Sequence, residues 1–277
     1  MRNTQSQSGT LAALRLRLAA LERAAPEREA GRVQKESEHP YPWPRMEVGT
    51  LHDLYAETAE DGAAVCGFGL GLAITAAKGR PVLWCLQDMV RFEAGQPHGA
   101  GLFEMGLAPR DLIFVRVRDA QAMLAVGEEA LRSPAIGAVL LSAWGEARAF
   151  TLTASRRLLM AANQGGRTVF LTRTSAMPSP SAAQTRWSVA ACQSVPLEGG
   201  APGRPSFTAT LLRHRGSGVT GQWTMEWDRE QRLYRPPAPI SGGLVPVAAQ
   251  RPAAPPERGI VKPLREGNAQ GRGRTAA

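Results

Sequence analysis

The sequence predicts an α/β fold: a mostly parallel sheet flanked by helices and extended by C-terminal antiparallel strands. Three observations carry that expectation. From Met46 onward, apolar runs of strand length alternate with amphipathic stretches of helix length. The strand runs are near-continuously apolar, as strands covered on both faces must be. After Ser175 the helical stretches stop and strand-like segments follow one another across Gly-rich turns.

Taken in order, the first element is a short amphipathic helix over residues 11–24. Leu11, Leu14, Leu18 and Leu21 step along one stripe, Arg15, Arg17, Glu22 and Arg23 take the other faces, and Pro26 ends it. The stripe is too short for a stable isolated coiled coil. It is therefore either a packing surface for a partner or a helix folded back on its own domain. Residues 26–45 are polar and then proline-rich, a linker. Leu51–Tyr55 reads as the first strand. Gly62–Lys78 is a small, apolar helix ending at Gly79. Pro81–Leu86 is a buried strand, Gly99–Gly106 a short helix and Leu112–Val117 a strand. Ala120–Arg132 is an amphipathic helix, Gly137–Ala143 a strand with Ser142 near its end, Thr153–Gln164 a helix, and Arg167–Thr172 a strand. Trp187–Val195, Phe207–Arg213 and Trp223–Trp227 read as antiparallel strands, with Arg215-Gly216-Ser217-Gly218 as one of the turns. Residues 235–277 lose periodicity and read as a disordered basic Pro/Gly/Arg tail. Two apolar islands interrupt it, one containing Leu244 and Val247, the other Ile260 and Leu264, and such islands are how short partner-binding segments look. The organisation expected is thus 1–45 helix and linker, 46–234 folded domain, 235–277 tail.

Composition narrows the function classes. The chain has 277 residues, a net charge of +9 and a pI near 10.4. Such basicity raises nucleic acid as a partner. Its distribution argues otherwise for the folded body. Residues 1–45 carry 8 Lys/Arg against 5 Asp/Glu, residues 46–190 carry 13 against 13, and residues 191–277 carry 12 against 6. The body is neutral and the ends are basic. No apolar run reaches the roughly 18 residues of a membrane span, and no signal-peptide pattern opens the chain, so a cytoplasmic protein is expected. Cys66, Cys85 and Cys192 are too far apart for a disulfide framework or a simple zinc site, and the four histidines lack metal-ligand spacing. No cofactor is expected.

Ligands of open α/β sheets bind beyond the carboxyl ends of the strands. The loop there runs Ala56-Glu57-Thr58-Ala59-Glu60-Asp61-Gly62-Ala63-Ala64. A phosphate cradle needs free backbone N–H groups, a lysine and a magnesium-binding hydroxyl. This loop lacks the lysine and the hydroxyl at their places and carries three carboxylates instead. Gly67-Phe68-Gly69-Leu70-Gly71 imitates a dinucleotide fingerprint but lies within the helix, where close helix–sheet packing accounts for it. Ser142 lacks the setting of a nucleophile elbow.

From Met46 to Trp227 the order of elements resembles the RecA-like ATPase core, and within it the ImuA family of RecA-related accessory proteins. The phrases that carry the resemblance are Leu51-His52-Asp53-Leu54-Tyr55, Glu60-Asp61-Gly62-Ala63-Ala64, Gly79-Arg80-Pro81-Val82-Leu83-Trp84, Arg213-His214-Arg215-Gly216 and Trp223-Thr224-Met225-Glu226-Trp227-Asp228. The resemblance places Gly62 where active relatives have the phosphate-binding lysine and Ala63 where they have the magnesium hydroxyl. It places Ser142 at the magnesium-strand acid and Arg173 near the phosphate-sensing glutamine. Asp88 falls near the water-activating acid, which alone cannot run hydrolysis.

The resemblance therefore implies a non-catalytic RecA-like protein of SOS-induced translesion synthesis. Its implied partners are an ImuB-like inactive relative of Y-family polymerases and an error-prone DnaE-type polymerase, with RecA as a further candidate, in a nucleoid-associated setting. Weak single-stranded DNA contact would fall on Arg173, Arg186, Arg213 and Arg215, although the stretch between the first two lacks an aromatic stacking platform. Two alternatives stand beside this reading: a RecA-like DNA-binding protein that keeps weak nucleotide binding, and an SOS cell-division inhibitor.

Overall fold

The computed structural model describes residues 2–24, 41–196, 199, 201 and 203–237. These belong to a compact unit spanning Met1–Pro239; a second unit, Ile240–Ala277, lies outside the described residues, and with it Leu244, Val247, Ile260 and Leu264.

The strands are β1 (Leu51–Ala56), β2 (Val82–Gln87), β3 (Leu112–Val117), β4 (Ala138–Trp144), β5 (Thr168–Thr174), β6 (Thr185–Ala191), β7 (Ser206–His214), β8 (Gly221–Asp228) and β9 (Leu233–Arg235). The helices are α1 (Arg2–Ala24), α2 (Gly62–Ala77), α3 (Asp88–Ala94), α4 (Gly99–Glu104), α5 (Ala120–Arg132) and α6 (Leu152–Gly165). All nine strands form one sheet in the order β3-β2-β4-β5-β1-β6-β7-β8-β9. β1 to β6 pair in parallel wherever they meet, and β7, β8 and β9 continue antiparallel. The expected fold class is the observed one.

Alternation along each strand divides the core. Leu54, Trp84, Leu140 and Phe170 pack with α2 on one face, while Leu51, Leu83, Leu141 and Leu171 pack with α1, α5 and α6 on the other. The helix starts follow from capping. The Asp119 carboxylate accepts from Ala122 N at 2.8 Å to open α5, and Thr151 Oγ1 accepts from Ala154 N at 3.1 Å to open α6. Gly166, at φ 63°, closes α6 in the left-handed conformation that glycine adopts without penalty. The glycines of α2 permit close approach to the sheet. A Cβ on Gly69 would stand 2.9 Å from both Leu140 Cδ1 and Thr172 Cγ2, and one on Gly71 would strike the Tyr234 hydroxyl. The glycine run is a packing device, as its position inside a helix suggested.

Several boundaries differ from the sequence reading. α1 begins at Arg2, because polar residues can extend a helix without adding to its apolar stripe. α2 ends at Ala77, and Lys78 takes the left-handed position (φ 50°) ahead of Gly79. α3 was not anticipated. β4 runs from Ala138 to Trp144, one residue on from the expected Gly137–Ala143 at each end. β6 is shorter than the segment read from 187 to 195 and runs parallel to β1, so the antiparallel extension starts only with β7. β9 adds a short edge strand.

The N-terminal stripe faces inward. Leu14 and Leu18 are buried against the α5–α6 side of the sheet, with Leu11 and Leu21 packed partly against the same cluster. Arg15 makes a two-point ion pair with Glu129 on α5, at 2.9 and 3.1 Å, and Ser133 Oγ donates to Glu22. Of the two alternatives, the helix is the one folded back on its own domain, which corrects the assignment of Leu14 and Leu18 as partner-binding residues and leaves Leu11 and Leu21 only partly covered.

Candidate functional site

β1 delivers the chain to the carboxyl end of the sheet, and a single 3-10 turn (Ala59–Asp61) leads into α2. In this loop the Asp61 carboxylate is the dominant acceptor. Its Oδ2 receives Thr58 N at 3.1 Å and the Thr58 hydroxyl at 2.7 Å, and its Oδ1 receives Ala191 N at 2.9 Å. Glu57 N donates to Val189 O at 2.9 Å. Both donors of Thr58 and one N–H of β6 thus face a side chain of the loop, while that carboxylate caps no N–H of α2. A negative group at a helix N-terminus is also electrostatically favoured there.

Gly62, at the first turn of α2, is packed too closely for a side chain. A Cβ would meet Thr174 Cγ2 at 2.8 Å and Ala94 Cβ at 3.0 Å. A lysine there would require the Thr174 side chain and Ala94 to give way. Ala63, the next residue, has no hydroxyl to offer.

Ser142, which the resemblance sets at the magnesium-strand acid, belongs to a neutral network. Ser142 is fully buried, and its Oγ accepts from Trp84 Nε1 at 2.9 Å and from Cys66 Sγ at 3.6 Å. Burial pushes the Cys66 thiol up, so it stays protonated and donates. Asp88 opens α3 and pairs with Arg116 on β3 at 2.9 Å, an exposed surface bridge.

The four arginines read as DNA contacts do not form one surface. Arg173 is 4% exposed, donates to Gly145 O at 3.1 Å and stacks its guanidinium 4.3 Å from the Phe150 ring centroid. Burial lowers its pKa, countered by Tyr55, Asp53 and Glu146. Arg186 donates to Ser179 O and to Ser181 Oγ and lies 3.8 Å from Asp53. Both are therefore internal ties, which corrects their assignment as DNA-facing residues. Arg213 is half-buried at the end of β7, and Arg215 is exposed, its N donating to Gln184 O at 2.8 Å. Only this turn, at the amino end of the parallel strands, presents cations to solvent from the original four.

Two buried polar groups on β1 went unread in the sequence. Asp53 is 1% exposed beneath the β5–β6 crossover (residues 175–184), which crosses β1 without a helix. Ser181 donates to its carboxylate, and Ser179 N donates to the Tyr55 hydroxyl at 3.3 Å. Burial raises the Asp53 pKa, while Ser181, Arg186, Arg173 and Arg213 pull it down. His52, on the opposite face, stacks on Phe170. Its Nε2 lies 2.9 Å from Glu47 O, which fixes that nitrogen as the donor. Nδ1 then accepts from the Thr185 hydroxyl at 2.7 Å. Burial lowers its pKa to about 4, so it is neutral at physiological pH. The available signal was a charged residue and an imidazole inside a strand otherwise apolar on both faces.

Among the described residues no group of three or more His, Cys, Asp or Glu side chains could hold a metal ion, and no helix is long and apolar enough to cross a membrane. No family model matches the chain. Two curated relatives, each called "Protein ImuA", come from Caulobacter vibrioides strains NA1000 / CB15N and ATCC 19089 / CIP 103742 / CB 15. Each is 30% identical over 206 residues, spanning 67% of this chain and 78% of the relative. At this identity over this share of both chains, the chain belongs to the ImuA family.

Proposed function

We propose that this chain is a non-catalytic RecA-like accessory protein in SOS-induced translesion DNA synthesis. It would act in the cytoplasm, at the nucleoid, with an ImuB-like inactive polymerase relative and an error-prone DnaE-type polymerase. The observation that carries the reading is the loop before α2. Asp61 takes both donors of Thr58 and puts a carboxylate at the start of α2, and Gly62 sits so close to Thr174 and Ala94 that a lysine, which phosphoryl transfer needs, would clash. Membership of the ImuA family supports the cellular setting.

The neutral body and basic ends support a scaffold whose folded surface serves proteins. Weak, salt-dependent DNA contact would fall on Arg215, Arg213 and the C-terminal arginines. Strand exchange does not follow from a shared fold.

Damage-induced mutagenesis in a strain lacking this chain tests the reading, with co-purification of the two polymerase partners as its biochemical arm. The account expects induced mutation to fall to the level of a strain lacking the DnaE-type polymerase, and the tagged chain to retain the ImuB-like protein. Undiminished mutagenesis, or filamentation on overexpression independent of both partners, would instead favour a cell-division inhibitor.

A further inference from the structure

At the amino end of the sheet, opposite the degenerate loop, the segment from Tyr41 to Val48 arches over the C-terminal half of α2 and encloses a half-open cavity of about 390 Å³. That falls within the roughly 300–1,000 Å³ range of ligand-binding cavities. Its wall is apolar and aromatic, with Trp43, Phe68, Leu72, Phe170, Met225 and Tyr234 among its residues.

The polar groups of the wall sort into two sets. Those set into it are already engaged within the chain. The Tyr234 hydroxyl donates to Phe68 O at 2.9 Å, Thr168 Oγ1 accepts from Gly49 N at 3.1 Å, and Thr75 Oγ1 lies 2.8 Å from Arg232 O. Glu47 is exposed at the rim, and its Oε1 accepts from Gln184 at 2.9 Å. At the mouth, Arg45 and Lys78 are exposed, and neither has an ion-pair partner among the described residues. The interior thus offers shape and apolar surface, and the rim offers two uncommitted cations. Val48, 52% exposed, carries the apolar surface outward past the rim. An occupant that matches all three features has a bulky apolar group, carboxylates beside it, and a body that continues across the surface.

We propose that this cavity binds an acidic segment of a partner protein, which inserts a large apolar side chain beneath residues 41–48 and sets its flanking carboxylates against Arg45 and Lys78. Apolar burial supplies the affinity and the two cations select the flanking charge. The site is independent of the loop before α2 and stands whether or not that loop binds nucleotide.

Fluorescence anisotropy of the full chain with a labelled dodecapeptide, Trp-Leu at its centre and glutamates on both sides, tests the proposal. Saturable binding is expected. Two control peptides, one with serines for Trp-Leu and one with lysines for the glutamates, should each bind at least tenfold more weakly. Lys78→Gly suits its left-handed backbone and removes one cation without strain; combined with Arg45→Gln it should weaken binding about tenfold. Ala76→Leu, which pushes into the cavity from α2, should weaken it with the melting transition retained. Absence of saturable binding, equal binding of either control peptide, or indifference to the Lys78→Gly/Arg45→Gln pair would overturn the proposal. So would capture of the small aromatic anion anilinonaphthalene sulfonate in this cavity with no peptide binding.

Discussion

Substituting His52 by glutamine removes a titration whose energetic weight can be worked from the structure. The imidazole is fully buried, stacked on Phe170 and hydrogen-bonded to Glu47 O and Thr185; burial lowers its pKa from 6.5 to about 4, against the bond to Glu47 O, which raises it. The unfolded chain binds a proton near the ordinary value and the folded chain does not, so stability falls as pH drops through the unfolded pKa. The loss levels off only below the folded one. Linkage with these two values gives a loss of about 2 kcal/mol between roughly pH 7 and pH 5, and about 3 kcal/mol by roughly pH 4. For a domain of this size that is a fall of about 4–8 °C in Tm over the first interval. Asp53 acts in the opposite sense: its folded pKa is raised, so protonation favours the folded chain as pH falls. That contribution is common to wild type and variant and cancels in the comparison. The assay is urea or thermal unfolding of both proteins across the pH range. Glutamine can keep both hydrogen bonds, and whatever its absolute stability, its pH slope should be flatter by the stated amount. Parallel stability curves for the two proteins would refute the assignment of a buried, neutral His52.

Three further outcomes follow from the packing. Leu18→Ala should cost about 2–5 kcal/mol in unfolding free energy, because Leu18 is 4% exposed in the α1–α5–α6 cluster; a near-neutral effect would detach α1 from the domain. Ser181→Ala should cost about 1–3 kcal/mol by leaving the Asp53 carboxylate without its hydroxyl donor. It should also increase proteolysis within the 175–184 crossover, and unchanged protection would remove Ser181 as the tie. Gly62→Lys should destabilise by about 1–3 kcal/mol through the contacts with Thr174 and Ala94. It should not create nucleotide binding, and acquisition of saturable binding by this variant would show that the missing lysine alone had silenced the site.

The fold was legible because the strand runs are short, apolar and separated by amphipathic helices, and that pattern leaves few alternatives to a covered parallel sheet. β1, β2, β3 and α5 therefore fell close to their observed bounds. α3 was not legible, since Asp88–Ala94 is short and lies at the surface except for Val90, giving no stripe to read. The parallel pairing of β6 was hidden for a different reason. A segment's apolar alternation does not encode which neighbour it joins, and here a crossover without a helix replaces the usual connection. At the loop, the absence of lysine was visible in the sequence, but the role of Asp61 as an internal acceptor depends on Ala191, 130 residues away. The arginines illustrate the limit of reading charge from composition. Arg173 and Arg186 count toward the basic total, yet they face Gly145, Phe150, Ser179 and Asp53 inside the domain.

The most direct measurement of the central claim is a calorimetric titration of the full chain with ATP and magnesium. A loop that carries three carboxylates, takes up Thr58 with Asp61 and packs its first helical residue against Thr174 and Ala94 should give no saturable heat up to millimolar nucleotide. Saturable binding in the micromolar range, abolished by substitution within residues 57–63, would contradict the account and make the chain a nucleotide-binding protein.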